Sequence, residues 1–149
     1  MRRIVLIMFS LILLSSCKTY DSYKAKQNGD IITGPPGPVN LEKINMFIND
    51  FQSQKDSKVR ITSYTEEGDP IINDLIFNGR EIKYIFDNSR DKHGGKQKGK
   101  YETTCKSIEQ RDVKRYDTKG VEYILIDCKE IIGIHDPDNE EIYLMFKAE

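Results

Sequence analysis

The first hydrophobic stretch of the chain is short and lies at its start. Residues 4–14 are apolar except for Ser10, and the cations Arg2 and Arg3 precede them. A charged head, a short apolar core and small residues after it are the pattern of a secretory signal. A membrane-spanning helix needs about 20 apolar residues, so we expect residues 1–16 to direct export and then to be removed.

Residues 17–39 form a polar segment without a helical or a strand period. They include the sequence Gly-Pro-Pro-Gly-Pro at positions 34–38. Proline fixes φ and favours extended backbone, which suits a semi-rigid spacer. We therefore predict a tether over this segment; a proline-rich ligand for the groove of a partner is the alternative.

A helical pattern begins after residue 40. Asn40 is a favourable N-cap, Glu42 complements the positive end of the helix dipole, and the pattern ends near Ser53. A single apolar stripe suits a helix that covers a sheet, so we expect these residues to form part of the core rather than a partner-binding face. The stripe consists of Leu41, Ile44, Phe47, Ile48 and Phe51.

Beyond the helix, alternation of apolar and polar residues predicts strands. Short turns separate them, and successive strands joined by short turns form antiparallel sheets. We therefore expect one α+β domain over residues 40–149, in which one N-terminal helix packs on an antiparallel sheet of about five or six strands. The segments with strand character are residues 58–65, 71–77, 81–86, 103–113, 120–128, 131–135 and 141–147.

Asn78 and Gly79, between two of these segments, are the strongest hairpin signal in the chain. With these two residues as the whole loop, one face of the hairpin is largely apolar and the other carries a favourable pair of opposite charges. The predicted pairs are Phe77 with Arg80, Leu75 with Ile82, Asn73 with Tyr84, Ile71 with Phe86 and, on the second face, Asp74 with Lys83.

The composition agrees with a folded domain. Of the 149 residues, 38% are hydrophobic and 32% are charged, which is the balance of a globular chain and not of a disordered one. The formal net charge is −1. Nucleic-acid binding requires a clear excess of cations, so we expect no nucleic-acid partner.

The end of the export signal carries a second pattern. The sequence Leu-Ser-Ser-Cys at residues 14–17 resembles the bacterial lipobox. This resemblance implies cleavage before Cys17 and a diacylglycerol on its thiol, which would anchor the protein at the outer face of the cytoplasmic membrane. An ordinary cleaved signal followed by a chance cysteine is the alternative.

The other two cysteines, Cys105 and Cys128, each lie on a predicted strand. Export brings them into an oxidising or unprotected environment, where a disulfide between them contributes about 3 kcal/mol to stability. Two buried free thiols are the alternative. Neither cysteine has a second ligand at zinc spacing, so we predict no metal site here.

Two loops are the candidates for a binding surface. The first is a turn that contains Glu67, Gly68 and Asp69, and exposed loop residues of this kind often carry function. The second, rich in lysine and glycine, includes Lys96 and Lys98, which suit anionic wall polymers or lipid headgroups. A mobile, solvated loop is the alternative for the second.

Metal binding and catalysis have little support. Calcium-loop spacing begins at Asp87 but has Lys98 where the glutamate is required, and turn formation explains these acids and those at 136–141 equally well. Residues 94–100 match a phosphate loop, but Tyr101 replaces the required Ser or Thr. The two histidines belong to no recognisable catalytic motif. We predict a protein without a cofactor and without enzymatic activity.

Several short motifs together resemble a known family. They are Thr-Glu-Glu-Gly-Asp-Pro-Ile at residues 65–71, Asp-Asn-Ser-Arg-Asp at residues 87–91, Gly-Gly at residues 94–95 and the pair Cys105 and Cys128, joined to the lipobox. In combination they resemble an uncharacterised family of bacillus-type lipoproteins that is defined as a domain of unknown function. The likeness spans roughly residues 40–128 and implies a secreted, membrane-anchored protein with no assigned activity.

We therefore expect an extracytoplasmic, lipid-anchored protein that acts as a binding or structural module of the cell envelope. Its expected partners are the membrane, through the anchor, and an envelope polymer or protein. There are two alternatives. An inhibitor-type lipoprotein requires a stiff protruding loop, and a metal-dependent hydrolase that uses the acidic loops requires a deep polar pocket.

Overall fold

An eight-stranded sheet and two α-helices are formed by the residues that the computed structural model describes, namely 20–34, 37–136 and 138–149, apart from the side chain of Asp136. The predicted signal peptide over 1–16 and Cys17 lie outside these residues. The helices are α1 (Ser22–Asn28) and α2 (Glu42–Gln52), and a 3₁₀ turn covers Gly95–Gln97. The strands are β1 (Ile31–Thr33), β2 (Ser57–Tyr64), β3 (Pro70–Phe77), β4 (Ile82–Asp87), β5 (Lys100–Arg115), β6 (Thr118–Cys128), β7 (His135–Asp136) and β8 (Glu141–Ala148).

The strand order is β1-β2-β3-β4-β5-β6-β8-β7. Every neighbouring pair is antiparallel except β1 and β2, which are parallel. The α+β class is confirmed. The expected five or six strands, the purely antiparallel sheet and the single N-terminal helix are wrong, because α1 precedes α2 and because β1 and β7 are too short to show alternation. No helix of the described residues is long and apolar enough to cross a bilayer.

The segment predicted as a tether contains folded structure. Asp21 caps α1 by accepting a hydrogen bond from the backbone N–H of Lys24 at 2.9 Å, and Gly29 ends the helix with a φ of 79°. Ile31 and Ile32 are buried in β1. The tether prediction is therefore wrong for residues 20–33, since a seven-residue helix with one buried side chain, Ala25, shows no period in the sequence.

Helix α2 carries the predicted apolar stripe, and Ile44, Phe47 and Ile48 are buried in it. The predicted N-cap is wrong. The helix begins at Glu42, and Asn40 instead has a φ of 58° and donates its side-chain N–H to the backbone carbonyl of Asp30 at 2.8 Å. Asn40 therefore fastens the start of α2 to the segment between α1 and β1.

The predicted hairpin forms between β3 and β4, but its register differs by two residues. Four residues, 78–81, make the loop, because the side chain of Asn78 accepts hydrogen bonds from the backbone N–H groups of Arg80 and Glu81 at 3.1 and 3.0 Å. A shift of two keeps every side chain on its predicted face. The observed pairs include Phe77 with Ile82, Leu75 with Tyr84, Asn73 with Phe86 and Asp74 with Ile85.

The last part of the sheet is built on the long hairpin of β5 and β6. Cys105 and Cys128 are directly opposite each other in it and are joined by a disulfide, which confirms the predicted bridge. The predicted strand over 131–135 is wrong for residues 131–134. Ile131 and Ile132 pack on the core instead, and Gly133 breaks extended structure with a φ of 73°.

Candidate functional site

The two predicted binding loops meet at one end of the sheet. Asp69, in the turn between β2 and β3, is buried and accepts a hydrogen bond from the backbone N–H of Lys92 at 2.8 Å. The Lys92 ammonium lies 3.0 Å from the second carboxylate oxygen. These two interactions, the backbone bond first, lower the pKa of Asp69. Asp69 therefore joins the loops and is not available to a ligand.

The other predicted loop residues are exposed. Glu67 and Gly68 lie at the tip of the turn, where Gly68 has a φ of 83° and donates its N–H to the carbonyl of Thr65 at 2.9 Å. Lys96 and Lys98 lie in and just after the 3₁₀ turn. Neither of these lysines makes an ion pair with any residue that the structure describes. The structure thus brings Asp69 to Lys92 and not to the two predicted lysines.

The acidic residues of the second loop shape that loop. Asp87 accepts hydrogen bonds from the backbone N–H and the hydroxyl of Ser89 at 3.0 and 2.6 Å, and Asp91 accepts one from the N–H of His93 at 2.8 Å. In β8, near the other edge of the sheet, Glu141 accepts two hydrogen bonds from the guanidinium of Arg111 at 2.7 and 2.8 Å. Among residues 20–34, 37–136 and 138–149, apart from the Asp136 side chain, no group of three His, Cys, Asp or Glu residues could hold a metal ion.

A cleft that the sequence does not indicate lies beside the outer edge of β2. We call it the edge cleft; it has a volume of about 680 Å³ and is bordered by the end of α1, one side of α2 and the strands β2 and β3. Its wall residues come from four separate segments of the chain, so no motif marks it. They include Gly29, Asp30, Lys43, Met46, Asp50, Lys58, Arg60, Asp74 and Ile76.

The carboxylates at the edge cleft already have partners. Arg60 binds Asp74 on the neighbouring strand through two hydrogen bonds of 2.6 and 2.9 Å, and this pairing raises the pKa of the guanidinium. Asp50 accepts a hydrogen bond from Ser57 at 2.8 Å and lies 3.7 Å from the ammonium of Lys55. The ion pair predicted between Asp74 and Lys83 is therefore wrong, because Arg60 is directly opposite Asp74.

Asp30 holds the end of α1 against β2. It is 3% exposed and accepts hydrogen bonds from the hydroxyls of Tyr20 and Thr62 at 2.6 and 2.7 Å. Its burial is thus compensated by two donors. Close by, burial is the main cause that raises the pKa of Tyr64 to about 12.

Two of the cations at the edge cleft, Lys43 and Lys58, make no ion pair with the described residues. Lys43 donates to the backbone carbonyl of Gly29, which holds α2 to the end of α1. Lys58 is exposed and makes no ion pair with the described part of the chain. A ligand beside the open edge of β2 therefore meets the exposed positive charge of Lys58.

Tyr20 is the first described residue and lies beside the second loop. Its hydroxyl accepts a hydrogen bond from Asn28 at 3.0 Å, and the guanidinium of Arg90 lies 5.5 Å from the centre of its ring. Cys17, the predicted lipidation site, is three residues earlier in the sequence.

A family model describes most of the folded part of the chain. The model of a domain of unknown function, DUF4362, matches residues 28–120. The match begins in the segment predicted as a tether, in agreement with the folded structure found there. Neither the curated proteins nor the solved structures contain a match to the chain. As expected from its motifs, this chain belongs to the family of the domain of unknown function DUF4362.

Proposed function

We propose that this protein is a lipid-anchored module of the cell envelope, held at the outer face of the cytoplasmic membrane through Cys17, and that it binds a partner in the edge cleft. One observation carries the binding role. Met46 and Ile76, which border the cleft, are 61% and 41% exposed. Apolar surface that is exposed in a cleft and rimmed by polar residues is a feature of interaction sites, and these two side chains line the same cleft.

The anchoring part of the proposal rests on the pattern of residues 1–17, and the position of Tyr20 determines how closely such an anchor holds the domain. Because Tyr20 is bonded to Asp30 and Asn28, part of the folded domain lies only three residues along the chain from the proposed lipid. A domain attached so closely stays near the lipid headgroups. In this arrangement the turn at 65–69 and the loop at 88–99 lie at the anchored end.

The charge pattern favours binding over hydrolysis. Hydrolysis by two carboxylates requires groups that are free to exchange protons or to hold a metal ion. Asp69 is bonded to Lys92, and Asp87 and Asp91 accept hydrogen bonds from their own loop. These acids therefore serve the fold.

An inhibitor-type lipoprotein is the second candidate, and one observation favours it. The hairpin of β5 and β6 ends in Tyr116 and Asp117, which have φ values of 46° and 67°. Two successive positive φ values make a tight hairpin turn. Tyr116 at this tip is fully exposed. A stiff hairpin with an aromatic tip is suited to insertion into the site of a target enzyme.

Fractionation tests the anchor. The unsubstituted protein is expected in the membrane fraction, extractable with detergent, and Cys17→Ala is expected in the soluble extracytoplasmic fraction. Tight membrane retention of Cys17→Ala would contradict lipidation. So would an unsubstituted chain that stays in the cytosol with residues 1–16 intact.

Cross-linking in the cell tests the binding surface. A photoreactive amino acid is placed at Met46 in the edge cleft, at Tyr116 on the hairpin tip, or at Gln110 on an exposed strand position as the control. The proposal expects a discrete adduct from Met46 only. An adduct from Tyr116 only favours the inhibitor, and adducts no stronger than those from Gln110 reject both.

A further inference from the structure

The edge cleft contains a stretch of strand without a neighbour. Of the residues of β2, only Ile61–Ser63 pair with β1. Residues 57–60 of β2, which we call the open segment, pair with β3 on one side, and within the described residues no strand pairs with them on the other. An unpaired strand edge is a template for an added strand.

The backbone of Lys58 points to the open side. Ile32 exchanges both of its backbone hydrogen bonds with Val39, at 3.1 Å each, so the backbone groups of Ile31, next to it in β1, point to β2. Ile31 is opposite Ile61, and in a parallel pair such a residue bonds the two neighbours of the residue opposite it, here Arg60 and Thr62. Alternation along β2 then turns the N–H and C=O of Lys58 to the same side, into the edge cleft.

The cleft is open because the chain before β1 turns away. If β1 continued backwards as a strand, Asp30 would lie opposite Arg60. Instead, Gly29 ends α1 in the left-handed conformation, and Lys43 donates to its carbonyl from α2. The end of α1 and the side of α2 therefore stay apart from the open segment. The cleft of about 680 Å³ lies between them.

Charge decides what kind of strand fits. Of the acids at the cleft, Asp74 is paired with Arg60, Asp50 is paired with Lys55, and Asp30 is buried. Lys58 and Lys43, in contrast, lack a carboxylate partner in the described structure. A second copy of this chain is a poor partner, because antiparallel pairing centred within the open segment would place the cations Lys58 and Arg60 of both copies side by side. Lysine on an edge strand disfavours such self-pairing.

We propose that the edge cleft binds an extended peptide segment that carries acidic residues and adds it as a strand beside the open segment. The backbone of Lys58 supplies hydrogen bonds to it, the ammonium of Lys58 faces its carboxylates, and Met46 contacts its apolar side chains. This inference rests on the proposed binding role of the cleft and names the class of partner. It does not depend on the lipid anchor.

The test uses the full-length protein in detergent micelles and a displayed library of random peptides of about eight residues, which is within the usual range of strand lengths. The selection is expected to enrich peptides with alternating acidic and apolar residues. These peptides, labelled with a fluorophore, are then titrated against the unsubstituted protein and two variants. Lys58→Thr removes the charge but keeps the backbone N–H. Lys58→Pro also removes the N–H, at a position where proline spares the ladder with β3.

The affinity is expected to fall about threefold in Lys58→Thr, in keeping with the loss of one exposed charge pair, and at least tenfold in Lys58→Pro. Circular dichroism shows whether Lys58→Pro is folded. If it is not, hydrogen exchange of the unsubstituted protein replaces it: the amide of Lys58 is expected to exchange more slowly when a selected peptide is bound.

Three results would overturn the inference. The first is a selection that enriches no peptide. The second is a set of selected peptides that bind without slowing exchange at Lys58, or that bind folded Lys58→Pro as tightly as the unsubstituted protein. The third is the formation of homodimers through the open segment. These results leave the fractionation of Cys17→Ala unaffected. A Met46 cross-link to a polysaccharide would support the binding role of the cleft and reject the added strand, so the two proposals fail separately.

Discussion

Loss of the disulfide between Cys105 and Cys128 is expected to remove a large share of the stability of this domain. The bridge closes a loop with a sequence separation of 23 residues. With n of 23, the chain-entropy relation ΔS ≈ −2.1 − 1.5R ln n gives about 3.4 kcal/mol at 25 °C. Native domains are stable by only about 5–15 kcal/mol, so reduction places the fold near its limit.

The assay is urea unfolding of the oxidised and the reduced protein, with Cys17→Ser in both samples so that only the bridge differs. The chain contains no tryptophan, so far-UV circular dichroism follows unfolding. With an m-value of about 1.5 kcal/mol/M, the midpoint is expected to fall by about 2 M on reduction. Mass spectrometry confirms the state of the bridge, because the unreduced chain is lighter by two hydrogens.

Two results would refute this reasoning. Equal urea midpoints for the oxidised and the reduced chain would mean that the bridge does not restrict the unfolded state. Free thiols at both positions in freshly isolated protein would mean that the bridge does not form. Cys105→Ala with Cys128→Ala is the matching variant; it is expected to unfold at or slightly below the midpoint of the reduced protein, because buried sulfur is also lost.

Two further predictions concern buried polar groups. The hydroxyl of Tyr84 donates to Asn73 at 2.6 Å in the core, so Tyr84→Phe is expected to lower the free energy of unfolding by about 1–3 kcal/mol. The control Tyr123→Phe removes only a 3.4 Å contact and is expected to cost less; equal losses in urea unfolding would contradict this. Lys92 lowers the pKa of Asp69, so the stability from ionised Asp69 is complete above its unfolded pKa of about 3.9 and is lost as the pH falls through the folded pKa. Asp69→Asn is therefore expected to melt below the unsubstituted protein at pH 7, and the difference in melting temperature is expected to shrink as the pH is lowered below about 3.9; a constant difference would refute the linkage.

Helices and strands whose hydrophobic pattern extends over many residues could be predicted from the sequence. The stripe that contains Ile44 and Phe47 marks α2, and alternation marks the strands from β2 to β6 and β8. The disulfide was also predicted, because Cys105 and Cys128 each lie on a strand and the N-terminal pattern predicts export into an oxidising environment. In each case the signal comes from neighbours along the chain, and burial of one face requires that spacing.

The errors arose where a few local contacts decide the outcome. Helix α1 is short and polar, and strand β1 has only three residues. They form because Asp30 and Asn40 attach them to β2 and α2. The hairpin loop has four residues because the side chain of Asn78 satisfies two backbone N–H groups. The hydrophobic pattern of a sequence carries no information about single hydrogen bonds of this kind.

The sequence by itself determined the α+β class, the faces of the main strands and the covalent bridge; the export signal that ends before Cys17 stays a prediction. Only the tertiary structure decided which loops meet, since Asp69 and Lys92 are far apart in the chain. It alone also decided that β1 pairs with only part of β2 and leaves the backbone of Lys58 open. The physical reason is that periodicity reports which side of a strand is buried, whereas the pairing of an edge depends on where a distant segment turns away.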